Sequence, residues 1–180
     1  MRNALRSISI AIALVLVLSG ISQSKDIILK NVPARVLFSP HGGCTDAIVS
    51  ELDKAKNEIL VQAYSFTSQP IAKALVDAHK RGVRTEIILD KSQRGDQYSA
   101  ADFSAHMGVP TYIDSAHAIA HNKIMIIDQE TVITGSFNFT KAAEERNAEN
   151  ILIIKSRELA KEYLDNWEKH KAHSEKYEGR

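Results

Sequence analysis

Apolar residues fall into short runs separated by polar, glycine-bearing turns, and the period of the runs alternates along the chain. Ala34 to Phe38 reads as a short strand, closed by the Ser39-Pro40-His41-Gly42-Gly43 turn. Thr45 and Asp46 stand where they can cap a helix carrying Ile48, Val49 and Leu52 on its apolar side. Glu58 to Tyr64 reads as a strand rich in apolar residues. Ser68, with Pro70 in the first turn behind it, opens a second helix that buries Ile71, Leu75 and Val76 and ends before Gly82. Val83 to Leu89 is a third strand. Strand, helix, strand, helix, strand in that order predicts βαβ units.

The polar stretch Asp90 to Gln97 reads as a surface loop with Lys91, Arg94 and Asp96 exposed. A short helix around Ala100 to His106 and a strand near Thr111 to Ile113 follow. Two close strands, Lys123 to Ile127 and Thr131 to Thr134, are joined by an Asp128-Gln129-Glu130 turn. Ile151 to Ile154 is a further buried strand. A closing helix from about Glu158 to Lys169 aligns Leu159, Tyr163, Leu164 and Trp167 on one face, which packs most simply on the sheet. The expected fold class is α/β, a mixed, largely parallel sheet flanked by helices on both faces.

Composition narrows the picture. The 180 residues suit one compact domain, and 25% charged with 44% apolar residues excludes wholesale disorder. Arg2 and Arg6 precede an apolar run from Ile8 to Leu18, and Ser22 and Ser24 are spaced as a cleavage site requires. That run is shorter than the roughly 20 residues of a membrane span. Residues 1–24 are therefore expected to be a signal peptide and 25–180 a single catalytic domain, periplasmic or secreted, with no stable membrane association after cleavage. Removing both arginines and no acid from 23 bases and 22 acids leaves a net charge of −1. Nucleic-acid binding then depends on local placement of Lys and Arg, and Lys91, Arg94 and Lys141 are candidates for such a track, against the plainer reading of ordinary solvated charges. Cys44 is the sole cysteine, so no intrachain disulfide forms, and it is read as a buried cysteine without catalytic work.

Chemistry concentrates in His121-Asn122-Lys123-Ile124-Met125-Ile126-Ile127-Asp128 followed by Gly135-Ser136-Phe137-Asn138. Alternation along a strand points His121 and Lys123 the same way and sends Ile124 and Ile126 to the opposite face. After the turn the chain returns alongside, where Ser136 and Asn138, again two apart, can project toward the same place. A nucleophile or base, a cation and two neutral hydrogen-bonding groups suit a tetrahedral anion such as a phosphodiester.

The pattern H-x-K-x4-D-x6-G-S-x-N resembles the signature of the phospholipase D superfamily, with every fixed position met. Val61-Gln62-Ala63-Tyr64-Ser65-Phe66-Thr67-Ser68 and Gly135 to Ala143 also look like the small, secreted, single-motif bacterial endonucleases of that superfamily. Most members carry two signatures per chain and this one carries one, so the resemblance implies a homodimer whose active site straddles a two-fold axis. It implies no metal and no cofactor. By the same resemblance His121 of one subunit attacks phosphorus while its partner protonates the leaving group. Lys123, Ser136 and Asn138 bind phosphate oxygens, and Glu149, in Asn147-Ala148-Glu149-Asn150, stands where the family places the acid that orients the histidine. Asp128 and Gly135 are read as structural members of the motif.

Other histidines have plainer readings. His117 and His121 are four apart, a metal-binding spacing on a helix, but this stretch reads as loop into strand and no metal site is assigned. His41 reads as a turn residue, and His170 and His173 as solvated surface in a Lys- and Glu-rich tail. Ser65 to Ser68 follows a strand end and can line the pocket. The leading expectation is an endonuclease acting on DNA, with RNA left open, without strong sequence preference. A lipid phosphodiesterase or phosphatidyltransferase is the alternative, and a binding protein with a dead site is disfavoured by the intact residue set.

Overall fold

The computed structural model describes residues 24–180. The leader assigned to residues 1–24 therefore lies outside the described residues, save for Ser24 itself. The strands are β1 (Ala34–Ser39), β2 (Glu58–Ala63), β3 (Arg84–Asp90), β4 (Thr111–Asp114), β5 (Lys123–Ile127), β6 (Thr131–Gly135), β7 (Glu149–Lys155) and β8 (Glu175–Tyr177). The helices are α1 (Cys44–Lys54), α2 (Gln69–Lys80), α3 (Ala101–His106), α4 (Lys141–Glu145) and α5 (Arg157–His173). All the strands join one eight-stranded sheet in the order β1-β7-β6-β5-β2-β3-β4-β8.

The sheet is mixed, with helices on both faces, but it is not largely parallel. Only β2–β3 and β3–β4 run parallel, each joined through a helix, and the other five neighbouring pairs are antiparallel. Residues 115–122 supply the reversal: after β4 the chain has no crossover helix, passes back across two strands and lays β5 antiparallel on the other side of β2.

Both faces of the central strands are covered, so their side chains are buried without alternation. Ile59, Val61, Ile87, Met125 and Ile127 belong to the larger core, shared with α1 and α2. Leu60, Ile88, Ile124, Ile126 and Val132 belong to a smaller core that Ala160 and Trp167 of α5 close. The Trp167 indole N–H donates to the carbonyl of Val61 at 3.0 Å, so the largest buried side chain keeps its polar atom satisfied.

Several local expectations are corrected. Helix α1 begins at Cys44, so Thr45 and Asp46 sit inside its first turn; the Glu144 carboxylate accepts the N–H groups of Gly43 (3.0 Å) and Thr45 (2.7 Å) instead. Ser68 occupies the N-cap of α2, yet its hydroxyl makes no cap bond. The 90–97 stretch is only partly surface: Asp90 and Gln93 are buried, and Gln93 accepts the N–H of Phe66 at 3.1 Å. Cys44 is buried, and burial with the nearby Glu144 charge pushes its thiol above the ordinary value.

Candidate active site

The strand directions decide where the site lies. β2, β6 and β1 end, and β5 and β7 begin, at the same end of the sheet, as the registers Ala63 with Lys123, Ile124 with Thr134, Gly135 with Ile151 and Ser39 with Glu149 require. Residues far apart in sequence are thereby gathered along one rim. Past the strand ends, the Tyr64 N–H donates to the Asn122 carbonyl at 2.8 Å, carrying the β2–β5 pairing up to His121.

His121 is exposed at this rim and packs its ring on Tyr64, with centroids 4.6 Å apart. Lys123 is 8% exposed; its ammonium donates to the His121 carbonyl at 3.0 Å and lies 5.2 Å from the Tyr64 ring centre. Burial pushes the Lys123 ammonium below its ordinary value, and the negative charge of Glu149 opposes that shift. An open cleft of about 610 Å³ is lined by His121, Lys123, Thr134 and Gly135 on the sheet side and by Glu162 and Tyr163 of α5 on the other.

Gly135 has φ +151°, and a Cβ there would lie 2.2 Å from the Asn150 carbonyl oxygen. Only glycine lets β6 and β7 approach this closely. The approach lets the Ser136 N–H donate to the Asn150 carbonyl at 3.1 Å, while the Ser136 hydroxyl accepts the Asn150 backbone N–H at 3.1 Å. Ser136 thus fixes the turn. Asn138 is half-buried, and its Oδ1 is buried with no partner among the described residues.

Among the described residues Glu149 makes no hydrogen bond to His121. Its Oε1 accepts from Asn147 Nδ2 at 3.2 Å, and its backbone N–H donates to the Ser39 hydroxyl. Within one chain, the negative charge of Glu149 reaches Lys123. Asp128 lies at the opposite end of β5, where its carboxylate accepts the N–H groups of Lys56, Asn57 and Glu58 at 2.7–3.3 Å. Burial raises its pKa, but those backbone donors and the Lys56 charge bring it below the ordinary carboxylate range.

Two residues carry more of the site than sequence reasoning assigned them. Tyr64 floors both His121 and Lys123; its place as the last residue of the expected strand was the available signal. Asp90 accepts the Ala120 N–H at 2.7 Å and so holds the residue just before His121. The candidate basic track does not assemble: Arg94 pairs with Glu175, Lys141 with Glu145, and Lys91 donates to the His117 carbonyl. Thr67 and Ser68 line a separate cleft with Thr45 and Glu144, and their N–H groups donate to the Phe139 carbonyl. His170 and His173 are not free surface residues, and His117 is not paired with His121: all three ring together around Asp114.

The family described as cardiolipin synthase, PLD-like domain, matches residues 48–171. The chain belongs to the phospholipase D superfamily. A phospholipase D of Rickettsia felis is 46% identical over 135 residues, covering 75% of this chain and 68% of that protein. The mitochondrial cardiolipin hydrolase of Xenopus tropicalis is 30% identical over 116 residues, 64% of this chain and 55% of that one. Nuc from Salmonella typhimurium, a phospholipase D family member, superposes with a TM-score of 0.78 at 40% identity, covering 81% of this chain and 98% of that one. The chain is accordingly a phospholipase D superfamily phosphodiesterase, and the mixed sheet with helices on both faces is the fold it shares with Nuc.

Proposed function

We propose that this phosphodiesterase is a metal-independent endonuclease of low sequence specificity, exported by its leader to the periplasm or medium and active as a homodimer. The observation that carries the reading is one exposed histidine per chain beside a buried lysine, at the mouth of an open, polar-lined cleft. A two-step displacement needs one imidazole to attack and a second to protonate the leaving oxygen, so two copies must meet at this rim.

His121 of one protomer, neutral, attacks phosphorus; the N–P bond forms as the P–O bond to the leaving strand breaks. The partner subunit's His121, protonated, gives its proton to that oxygen. The now neutral partner imidazole takes a proton from water, whose oxygen attacks phosphorus and breaks the N–P bond. Lys123 and Asn138 hold the non-bridging oxygens through both steps. The negative charge of Glu149 favours the cationic form of Lys123 against the effect of burial. Tyr64, rather than an acid of the same chain, sets the plane of the nucleophile.

The dimer reading is supported by an apolar patch beside this rim. Val36, Phe38 and Leu152 are 52%, 65% and 37% exposed, and Phe38 is registered with Asn150, the residue bound to Ser136. The nucleic-acid reading is supported by the resemblance of the single signature and its flanking segments to the small single-motif bacterial endonucleases, with the fold match to Nuc spanning 98% of that chain. A lipid substrate has support of its own, in the names of the Rickettsia and Xenopus relatives and in a groove of about 1040 Å³ edged by exposed Tyr98, Phe103 and Met107.

The test is plasmid nicking and vesicle hydrolysis by the purified protein in excess EDTA, for wild type and His121→Ala. Nicking that survives chelation and vanishes in the variant supports the proposal. Hydrolysis confined to vesicles reverses the substrate, and an active species that sediments strictly as a monomer overturns the shared site.

A further inference from the structure

At the opposite corner of the sheet the chain brings four metal-ligating side chains together. Asp114, fully buried, ends β4; His117 follows in the loop; His170 and His173 come from the last turn of α5, three apart and so on one side of the helix. His117 Nδ1 lies 3.2 Å from both carboxylate oxygens of Asp114, His170 Nδ1 lies 2.7 Å from Oδ2, and His173 Nε2 lies 3.3 Å from it. All four donor atoms fall within 4.8 Å of one another, and the three ring centres within 5.3 Å.

We infer that this corner is a binding site for one divalent transition-metal ion, zinc by its donor set, held by Asp114, His117, His170 and His173. In a tetrahedral site with bonds of roughly 2.0–2.2 Å the donor atoms stand about 3.3–3.5 Å apart, so the three Asp-to-His separations need change by less than an ångström. Three imidazoles and one carboxylate are a borderline-soft nitrogen and oxygen set, suited to zinc and poor for calcium or magnesium. Binding asks each neutral ring only to move its proton to the other ring nitrogen, leaving a lone pair toward the ion. Supporting contacts are in place: the Ala116 N–H donates to Asp114 Oδ1 at 3.0 Å, Lys91 holds the His117 carbonyl, and the Ser174 hydroxyl holds that of His170. His117 and His173 side chains are 45% and 38% exposed, which gives the ion a way in.

Four protein ligands fill a tetrahedron and leave no position for water, so the ion is structural. None of the four residues lines the His121 cleft. The ion ties the end of α5 to the loop that runs from β4 into His121, and the site does not depend on which phosphodiester is cleaved.

The test is zinc titration of the chelator-stripped, purified protein by calorimetry, with melting temperature and the cobalt spectrum read in parallel. The expected result is one equivalent per chain, a melting rise of about 5 °C or more at saturating zinc, and the visible bands of tetrahedral cobalt. His117→Ala and His173→Ala, both at exposed positions that leave the core intact, are expected to weaken binding about 10–100-fold each. His121→Ala is expected to bind zinc as wild type does. No saturable binding, or binding lost in His121→Ala and retained in His117→Ala, overturns the inference and leaves the corner a hydrogen-bonded Asp–His cluster.

Discussion

The rim around His121 and the corner around Asp114 are both small clusters of polar side chains at strand ends, and they are built in opposite ways. The rim takes His121, Lys123, Ser136 and Asn138 from one hairpin of 18 residues, with Tyr64 and Asn150 added from the strands beside it. The corner joins Asp114 and His117 to residues 56 and 59 positions beyond Asp114, by way of three strands and two helices. A hairpin brings its own side chains together whatever the rest of the fold does. A site assembled over such separations exists only once the topology is set. Sequence patterns therefore report the first kind of site and pass over the second.

The difference can be broken by mutation. The largest expected effect is that of His121→Ala: phosphodiester cleavage falls about 1,000-fold or more, while the melting temperature stays within about 2 °C of wild type. A large loss of stability in this exposed-site variant would mean that the rim is not the self-contained unit described. Gly135→Ala tests the rim's one steric requirement. A Cβ 2.2 Å from the Asn150 oxygen forces β6 and β7 apart, so urea unfolding is expected to show a loss of about 3 kcal/mol, with activity reduced in step.

Asp128 sharpens the comparison, because it belongs to the signature by sequence and to neither cluster by position. Asp128→Asn is expected to cost about 1–3 kcal/mol at neutral pH and to leave the pH profile of cleavage unmoved. Since the folded carboxyl titrates below its unfolded value of about 3.9, its contribution is complete above that pH and disappears as pH falls through the folded value. Wild-type stability should therefore converge on that of the variant in acid; parallel curves would contradict the role given to the backbone donors. The smallest effect is expected from Glu149→Gln. Removing the charge that opposes desolvation lowers the Lys123 pKa further, so the alkaline limb of the activity profile moves to lower pH. A limb that stays in place would return Glu149 to orienting the histidine.

Most of the fold was legible because its strands and longer helices carry strong hydrophobic periods. The short elements were not: α4 has five residues and β8 three, too few to show a period. The largely parallel sheet was a misreading of a physical ambiguity, since strands covered on both faces look alike in either direction. The placing of His121 and Lys123 at one cleft could be read from alternation, as could the buried face of α5. Tyr64 and Asp90 reach the rim from neighbouring strands, and no spacing within the signature points to them. His170 and His173 were hidden by their company, because a Lys- and Glu-rich helix end looks solvated until β4 is known to lie beneath it.

The two borders of the sheet are unlike, and that limits how the molecule can grow. β8 is a three-residue border with exposed Glu175 and Lys176, a short and charged edge of the kind that discourages further pairing. Among the described residues β1, six residues long, pairs only with β7 and leaves Val36 and Phe38 in solvent. A filament needs two mutually adhesive borders on every subunit, and the described residues offer one. Association of two copies through the exposed Val36 and Phe38 side chains would use up the adhesive surface of both, so growth would stop at a pair.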